Sequence, residues 1–179
     1  MNQPSDRRIL RTQKNIKQAF TELLEQKPFD KITVAEVAEL ADINRRTFYL
    51  HYEDIYALLE QLELDLIGEF NDDLQISAPQ ILHEFQTQLL VFLGRRKQLM
   101  HALLSNPNSQ FLGKAMALAI ERDLAHSSYT TKTERKYCWQ YIEHGLRGVL
   151  LDWLVTASLP QAKMADFITR EVESSLAVN

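Results

Sequence analysis

The stretch ITVAEVAELADINRRTFYLHY, residues 32–52, carries the pattern that decides the fold. Thr33 is followed three residues later by Glu36, which is the spacing of a helix-capping box, and apolar residues then recur at the helical period. The triplet at 42–44 interrupts this pattern with residues that tolerate a sharp turn, and Asn44 is a good N-cap for a second helix. We therefore predict a helix, a tight turn and another short helix in this stretch.

Two adjacent arginines begin the second of these helices, in a chain whose formal net charge is −4. A short capped helix can brace another helix whose first turn enters the major groove of DNA. Arginines at that turn can pair with guanine edges or phosphates, and Thr, Tyr and His can donate hydrogen bonds to phosphates. The plain alternative is a helical hairpin with a solvated arginine pair. Residues 1–52 carry nine Lys/Arg and seven Asp/Glu, whereas residues 53–179 carry eleven and seventeen, so the N-terminal part is the one expected to meet a polyanion.

The remainder of the chain is also predicted to be helical. Five Gly and five Pro among 179 residues favour long helices over many short strands joined by turns. The expected fold is all-α, with a three-helix domain over residues 1–53 and a helical domain over 54–179. The polar run SSYTTKTE, residues 127–134, is predicted to be a loop. The predicted helices, about nine in number, cover roughly residues 7–26, 33–41, 45–52, 54–73, 77–94, 95–104, 109–126, 134–157 and 160–176.

Several classes of function lack any sequence support. Cys138 is the only cysteine, so an internal disulfide and a thiolate metal cluster are excluded. The histidines are dispersed, and neither a metal-binding motif, a phosphate-binding glycine loop nor a nucleophile elbow is present. We therefore expect no enzyme, no metal and no cofactor. The first 15 residues lack the apolar segment of a signal peptide, and no run of 18 apolar residues occurs, which predicts a soluble cytoplasmic protein without a membrane span.

Residues 9–59 resemble the DNA-binding domain of the TetR (tetracycline repressor) family of bacterial transcription regulators. The resemblance lies in ITVAEVAELADI and in RRTFYLHYEDIYALLE. It implies that Phe48 and Tyr52 belong to the core. It also implies a DNA-facing set, with a phosphate contact expected from at least one basic residue of the first helix (Arg7, Arg8, Arg11, Lys14 or Lys17). The DNA-facing set comprises Thr33, Arg45, Arg46, Thr47, Tyr49 and His51.

Three positions depart from the pattern of the family. Asp42 stands where the family often has Gly in the turn, and Arg46 stands where a small residue is common. Ile55 stands where a Lys often meets a phosphate, so a phosphate contact at this position is in doubt. The additional arginine could replace that contact or contact a base.

The eighth predicted helix is apolar over a broad arc, so it should contact two partners. Gly145 and Gly148 are poor helix formers that would allow another helix to approach closely. TetR-like proteins dimerise through their last two helices, which implies a homodimer. The expected interface residues are Leu146, Leu150, Trp153, Met164, Phe167, Ile168 and Val172.

A small apolar effector, if the protein has one, is expected in the C-terminal domain, between the fourth to seventh helices and the eighth. The acidic and aromatic composition of this domain favours a flat or cationic apolar compound. Aromatic and Met side chains at helical spacing are also ordinary core residues. The candidate pocket residues are Phe70, Phe85, Leu89, Phe92, Met100, Met116, Tyr137 and Tyr141.

The leading hypothesis is a transcriptional regulator of this family, a repressor that binds a palindromic operator in double-stranded DNA as a dimer and is released by a small molecule. A second hypothesis keeps DNA binding but replaces the small molecule with a protein partner, and the protein could then be an activator. A helical enzyme is a third hypothesis, for which no catalytic constellation was found. A co-purified small molecule, a captured protein or turnover would separate the three.

Overall fold

The protein is described by a computed structural model that covers residues 4–74, 81–123 and 131–176. These residues form nine α-helices and one 3-10 turn, Phe29–Lys31, and none of them forms a strand. The predicted all-α class is therefore confirmed for the residues described. The helices are α1 (Pro4–Gln26), α2 (Val34–Leu40), α3 (Arg45–Tyr49), α4 (Ile55–Asp73), α5 (Ile81–Arg95), α6 (Lys97–Ser105), α7 (Phe111–Asp123), α8 (Lys132–Thr156) and α9 (Gln161–Leu176).

Helices α1 to α3 form an N-terminal head in which α1 packs on α2 and α2 packs on α3. Ile16 and Phe20 of α1 are fully buried, which their four-residue spacing on one helix face predicts. Ile9 lies seven residues before Ile16 and so has the spacing of the same stripe, but its side chain is 48% exposed. The apolar face of α1 thus contacts the core only in the second half of the helix.

The C-terminal body contains α5 to α9, and α4 connects it to the head. Helix α5 packs against α9, α4 against α7, and α6 against both α1 and α8. The buried side chains of head and body belong to one continuous hydrophobic cluster, which runs from Ile16 to Val172. Because α6 touches α1, the body contacts the head directly as well as through α4.

Helix α8 begins earlier than the sequence analysis predicted. Thr131 is its N-cap and Glu134 completes a capping box, with Glu134 N donating to Thr131 Oγ1 at 3.1 Å. The TxxE spacing was present in the predicted loop and was overlooked. The predicted start of α5, at residue 77, and the predicted end of α7, at residue 126, lie outside the described residues. None of the helices described is both long and apolar enough to cross a bilayer.

Candidate nucleic-acid interface

The turn between α2 and α3 is held by backbone geometry and by one side chain. Asp42 adopts a positive φ of 53°, and Ile43 N donates to Ala38 O at 2.9 Å. Asn44 then caps α3 by accepting a hydrogen bond from Arg46 N at 2.8 Å. The turn and the N-cap therefore follow the sequence prediction, and they fix the direction in which α3 leaves the turn.

Helix α3 is shorter than predicted. It ends at Tyr49, with Leu50 as its C-cap, whereas the sequence analysis extended it to residue 52. Tyr52 nevertheless turns inward, because its backbone N donates to Phe48 O at 3.0 Å. The side chains of Phe48 and Tyr52 are 0% and 7% exposed, so their predicted core positions are confirmed.

The start of α2 is fixed by the predicted capping box. Glu36 N donates to Thr33 Oγ1 at 3.3 Å, and Thr33 N donates to Glu36 Oε2 at 3.0 Å. Lys27, at the end of α1, adds an ion pair to Glu36 at 2.5 Å. Lys27 and the hydrogen bonds from Thr33 lower the pKa of Glu36 from 4.5 to about 2. The Thr33 hydroxyl thus has a local structural role in addition to its exposure on the predicted DNA side.

The arginine pair lies on the outer surface of α3. Arg45 and Arg46 are exposed, and their guanidinium groups form no hydrogen bond or ion pair with the described residues. Tyr49, one turn further, is 58% exposed and rests the edge of its ring against Phe48, with the ring centroids 5.6 Å apart. This surface presents two unpaired guanidinium groups and a phenol that packs on a buried aromatic ring. Such groups can contact phosphates and base edges.

Thr47 and His51 are half-buried beside this surface. The His51 ring lies 6.4 Å from the Tyr52 ring, measured between centroids. Leu50 is 77% exposed and was not among the predicted site residues. An exposed leucine after the recognition helix could have been noticed, because it falls between Phe48 and Tyr52 and so cannot share their buried face.

The basic residues of α1 divide into two groups. Arg7, Arg8, Arg11 and Lys14 are exposed and unpaired within the described part of the chain. Lys17 instead forms an ion pair with Asp65 of α4, so it ties α1 to α4. The sequence predicted one basic run, and the structure leaves only its first four members available for a polyanion.

Comparison with known proteins agrees with this geometry. Residues 16–62 match the model of the N-terminal domain of bacterial regulatory proteins of the tetR family. The chain is 28% identical over 159 residues to YxbF, an HTH-type transcriptional regulator of Bacillus subtilis (strain 168). Residues 16–62 therefore belong to the DNA-binding domain of the TetR family. The match covers 82% of this chain and 40% of YxbF, so the chain spans less than half the length of that relative.

Solved structures of TetR proteins have the same fold over nearly the whole chain. A TetR transcriptional regulator from Streptococcus agalactiae 2603V is 25% identical, with a TM-score of 0.67, and the match covers 94% of this chain and 97% of that one. The dihydroxyacetone kinase operon activator DhaS is 17% identical, with a TM-score of 0.55 and coverage of 92% and 96%. These matches show that the fold of the chain is shared with known transcriptional regulators.

Ile55 explains one departure from the family pattern. Its side chain is 8% exposed and belongs to the hydrophobic core. A buried isoleucine at the start of α4 cannot supply the phosphate contact that a lysine would make there. Burial also raises the pKa of the nearby core residue Tyr52, with a further contribution from Asp65. The side chains of Phe48 and Tyr52 beneath α3 are thus closed to solvent.

The predicted effector residues do not form one group. Tyr137 and Tyr141 of α8 are 64% and 74% exposed. The other six are buried, and several contact each other; for example, the rings of Phe70 and Phe92 lie 5.2 Å apart between centroids. The buried members are Phe70, Phe85, Leu89, Phe92, Met100 and Met116.

Most predicted dimer residues are already buried within the single chain. Phe167 is half-buried, and Arg170 lies over its ring at 5.7 Å from the centroid. The outer face of α8, in contrast, displays Tyr137, Tyr141, Gly145 and Gly148. The buried members of the predicted interface are Leu146, Leu150, Trp153, Met164, Ile168 and Val172.

Proposed function

We propose that this TetR-family chain is a repressor that binds a palindromic operator as a homodimer in the bacterial cytoplasm and is released by a small-molecule effector. The observation that carries the proposal is the unpaired surface of Arg45, Arg46 and Tyr49 on the second helix of a helix-turn-helix. Each head would place this surface in one major groove. Activity and partners are proposed from the chain itself, because the relative YxbF is much longer.

Two types of contact are expected in each half-site. Arg45 and Arg46 stand at the start of α3, where an arginine can reach phosphates or the O6 and N7 atoms of guanine. Tyr49 and the exposed basic residues of α1 suit phosphates, which position the protein without selecting a sequence. Thr33, Thr47 and His51 flank these residues and complete the proposed contact surface.

Dimerisation is proposed through the outer face of α8. Tyr137, Tyr141, Gly145 and Gly148 follow each other at intervals of three or four residues, so they share one side of the helix. A Cβ atom added at either glycine would meet nothing within 4 Å. Among the described residues, this strip of α8 therefore has no neighbouring helix of the same chain, and a second copy of α8 could approach it closely. Phe167 of α9 would extend the contact.

Activation is the second candidate outcome of DNA binding. It is favoured by one observation: DhaS, which shares this fold, is named as an operon activator. A likeness of this kind shows the fold alone, so repression stays the first proposal. A reporter gene placed behind the selected operator distinguishes the two, because a repressor lowers expression whereas an activator raises it.

The proposal is tested by selecting bound duplexes from a random pool and measuring affinity by fluorescence anisotropy at several salt concentrations. Steep salt dependence is expected, since each neutralised phosphate contributes about −0.9 to the slope of log K against log salt. Arg46→Ala should weaken binding by about tenfold or more, as the loss of a bidentate base contact does. Lys163→Ala, on the exposed surface of α9, is the matched control. Selection of no duplex, or equal affinity of the Arg46→Ala variant, would contradict the groove assignment.

A further inference from the structure

A cavity of about 830 Å³ lies where the head meets the body. Its first wall is the end of α1 with the 3-10 turn, its second is α6 with the loop that follows, and the end of α8 closes it. Leu24, Phe29 and Leu154 supply an apolar floor and are 3%, 7% and 2% exposed. The volume lies within the range of small-molecule sites, which are mostly apolar with a few polar groups. None of the eight predicted effector residues lines this cavity.

The α6 wall carries two ionisable side chains that can donate hydrogen bonds. Lys97 and His101 are one helical turn apart, both line the cavity, and neither has a partner among the described residues. Across the cavity, Lys27 is engaged by Glu36 and Asp30 by Lys31. The unpaired ionisable groups facing the space are therefore Lys97, His101 and, on the α1 wall, Glu25.

Asn106 provides an independent sign that a hydrogen-bond acceptor is missing here. It lines the cavity and is 5% exposed, and its amide nitrogen Nδ2 is buried without a partner. Its orientation is determined by Oδ1, which accepts from Asn108 N at 3.0 Å. A buried donor without an acceptor is costly. Because Nδ2 has almost no accessible surface, a ligand acceptor would reach it after a small movement of the loop that follows α6 and would then relieve that cost.

The loop after α6 connects the cavity to both α8 and α4. Arg147 of α8 donates to Leu104 O at 3.1 Å and to Ser109 O at 3.0 Å. On the other side, Gln110 N donates to Glu63 Oε1 of α4 at 3.0 Å. A molecule between α1 and α6 would thus contact α1, which belongs to the head. It would also contact the loop after α6, which is hydrogen-bonded to α4, and α4 connects the body to the head.

We propose that this junction cavity binds an amphipathic monoanion, with an apolar part on the floor and one carboxylate or sulfonate group near Lys97, His101 and Asn106. A single charge is expected because Glu25 on the facing wall disfavours a dianion. Binding spreads α1 from α6 and changes the position of the head relative to the body. The coupling rests on the proposed DNA-binding function, whereas binding itself does not.

The binding experiment uses the full chain and two probes. Fluorescence of 8-anilinonaphthalene-1-sulfonate, which is an apolar ring system with one anionic group, reports binding, and decanoate competes with it. Ala102→Trp fills the cavity and Lys97→Glu reverses its charge; each should weaken both probes by about tenfold. Ala117→Trp on the exposed side of α7 and Lys163→Glu on α9 are the controls. The site is overturned if wild type binds neither probe, or if the Lys97→Glu variant binds them as tightly as wild type. Because Lys97 is exposed, its substitution keeps the test valid even where Ala102→Trp impairs folding.

The coupling experiment repeats the anisotropy measurement on the selected duplex with and without decanoate. Decanoate should weaken DNA binding by wild type about fivefold or more and should leave the affinity of the Lys97→Glu variant within about twofold. Decanoate that binds without changing DNA affinity overturns the coupling. If no duplex is selected at all, the proposed function fails, and the probe measurements still decide the cavity.

Discussion

Glu63 is a carboxylate inside the protein, at 2% exposure. It accepts from the backbone N of Gln110, and Lys114 Nζ lies 3.4 Å from its second oxygen. Gln110 precedes the first residue of α7, so the carboxylate also faces the positive end of that helix dipole. At the residue scale, this side chain is the polar connection between α4 and the loop that precedes α7.

Removing this carboxylate should destabilise the protein. Glu63→Ala leaves the Gln110 N–H without an acceptor and the half-buried Lys114 without a counter-charge, at a cost of about 1–3 kcal/mol. Thermal or urea unfolding measures the loss. Glu60→Ala removes an exposed carboxylate from the same helix and should change stability by less than about 0.5 kcal/mol. Equal effects of the two substitutions would contradict the assigned role.

Helix termini show how much of this fold the sequence could predict. The capping box of Thr33 and Glu36 and the N-cap Asn44 were predicted, because a cap needs only residues within three positions of each other. The equivalent box at Thr131 and Glu134 carried the same signal and was overlooked in a polar run. Local chemistry therefore determines where these helices begin, and the same chemistry also marks the start of α8.

Partners from distant parts of the chain were beyond a single sequence. Lys17 looked like a member of a basic DNA-facing run, but Asp65, 48 residues later, binds it. The exposure of Tyr141 could not be predicted either, since the broad apolar arc of α8 does not indicate which part of it another helix covers. The junction cavity also escaped prediction, because it requires α1, α6 and α8 to meet.

The end of α8 contains a conformational strain that a single substitution can remove. Ala157 is its C-cap and has a φ of 46°, a left-handed conformation that costs a non-glycine residue about 1–2 kcal/mol. Ala157→Gly should therefore raise the free energy of unfolding by about 1 kcal/mol. This net value is smaller than the strain removed, because glycine also increases the conformational entropy of the unfolded chain. Ala162→Gly, in exposed helix α9, should lower it by about 0.5–1 kcal/mol. Two changes of the same sign in calorimetry would contradict this account.

The capping box at the start of α2 should make the head sensitive to acid. The pKa of Glu36 is about 2 in the folded protein, against 4.5 without its partners. The unfolded state then binds a proton more readily, so the stabilisation is present above pH 4.5 and is lost as the pH falls towards 2. The melting temperature of wild type minus that of Glu36→Gln should be constant above about pH 5 and shrink below it. Glu39→Gln is the matched control for removing one charge from α2, and a difference independent of pH would contradict the prediction.

At the scale of the whole molecule, the proposed dimer would need its two heads at a fixed separation to recognise DNA. In this chain α1 contacts α6, and α4 contacts α7, so a head cannot move without a change in its own body. The outer face of α8 would join the two bodies. The distance between the two α3 helices would then depend on the α8 interface and on the contacts between head and body within each chain. A ligand in the junction cavity would change the second of these.

The glycines of α8 allow folding and dimerisation to be tested separately. Gly148→Ala adds a methyl group that meets nothing within 4 Å in the single chain. It should therefore stabilise the helix by about 0.5–1 kcal/mol. In a dimer with α8 packed closely on its copy, the same methyl group forces the helices apart and weakens association. Analytical ultracentrifugation across concentrations should show a dimer for wild type and a weaker dimer for the variant, although its helix propensity has risen. Gly68→Ala is the matched control, since its Cβ also meets open space but lies on α4. It should leave the dimer unchanged. Two results would exclude α8 glycine packing as the basis of assembly: a wild-type chain that sediments as a monomer at micromolar concentration, or a Gly148→Ala dimer as tight as the wild-type dimer.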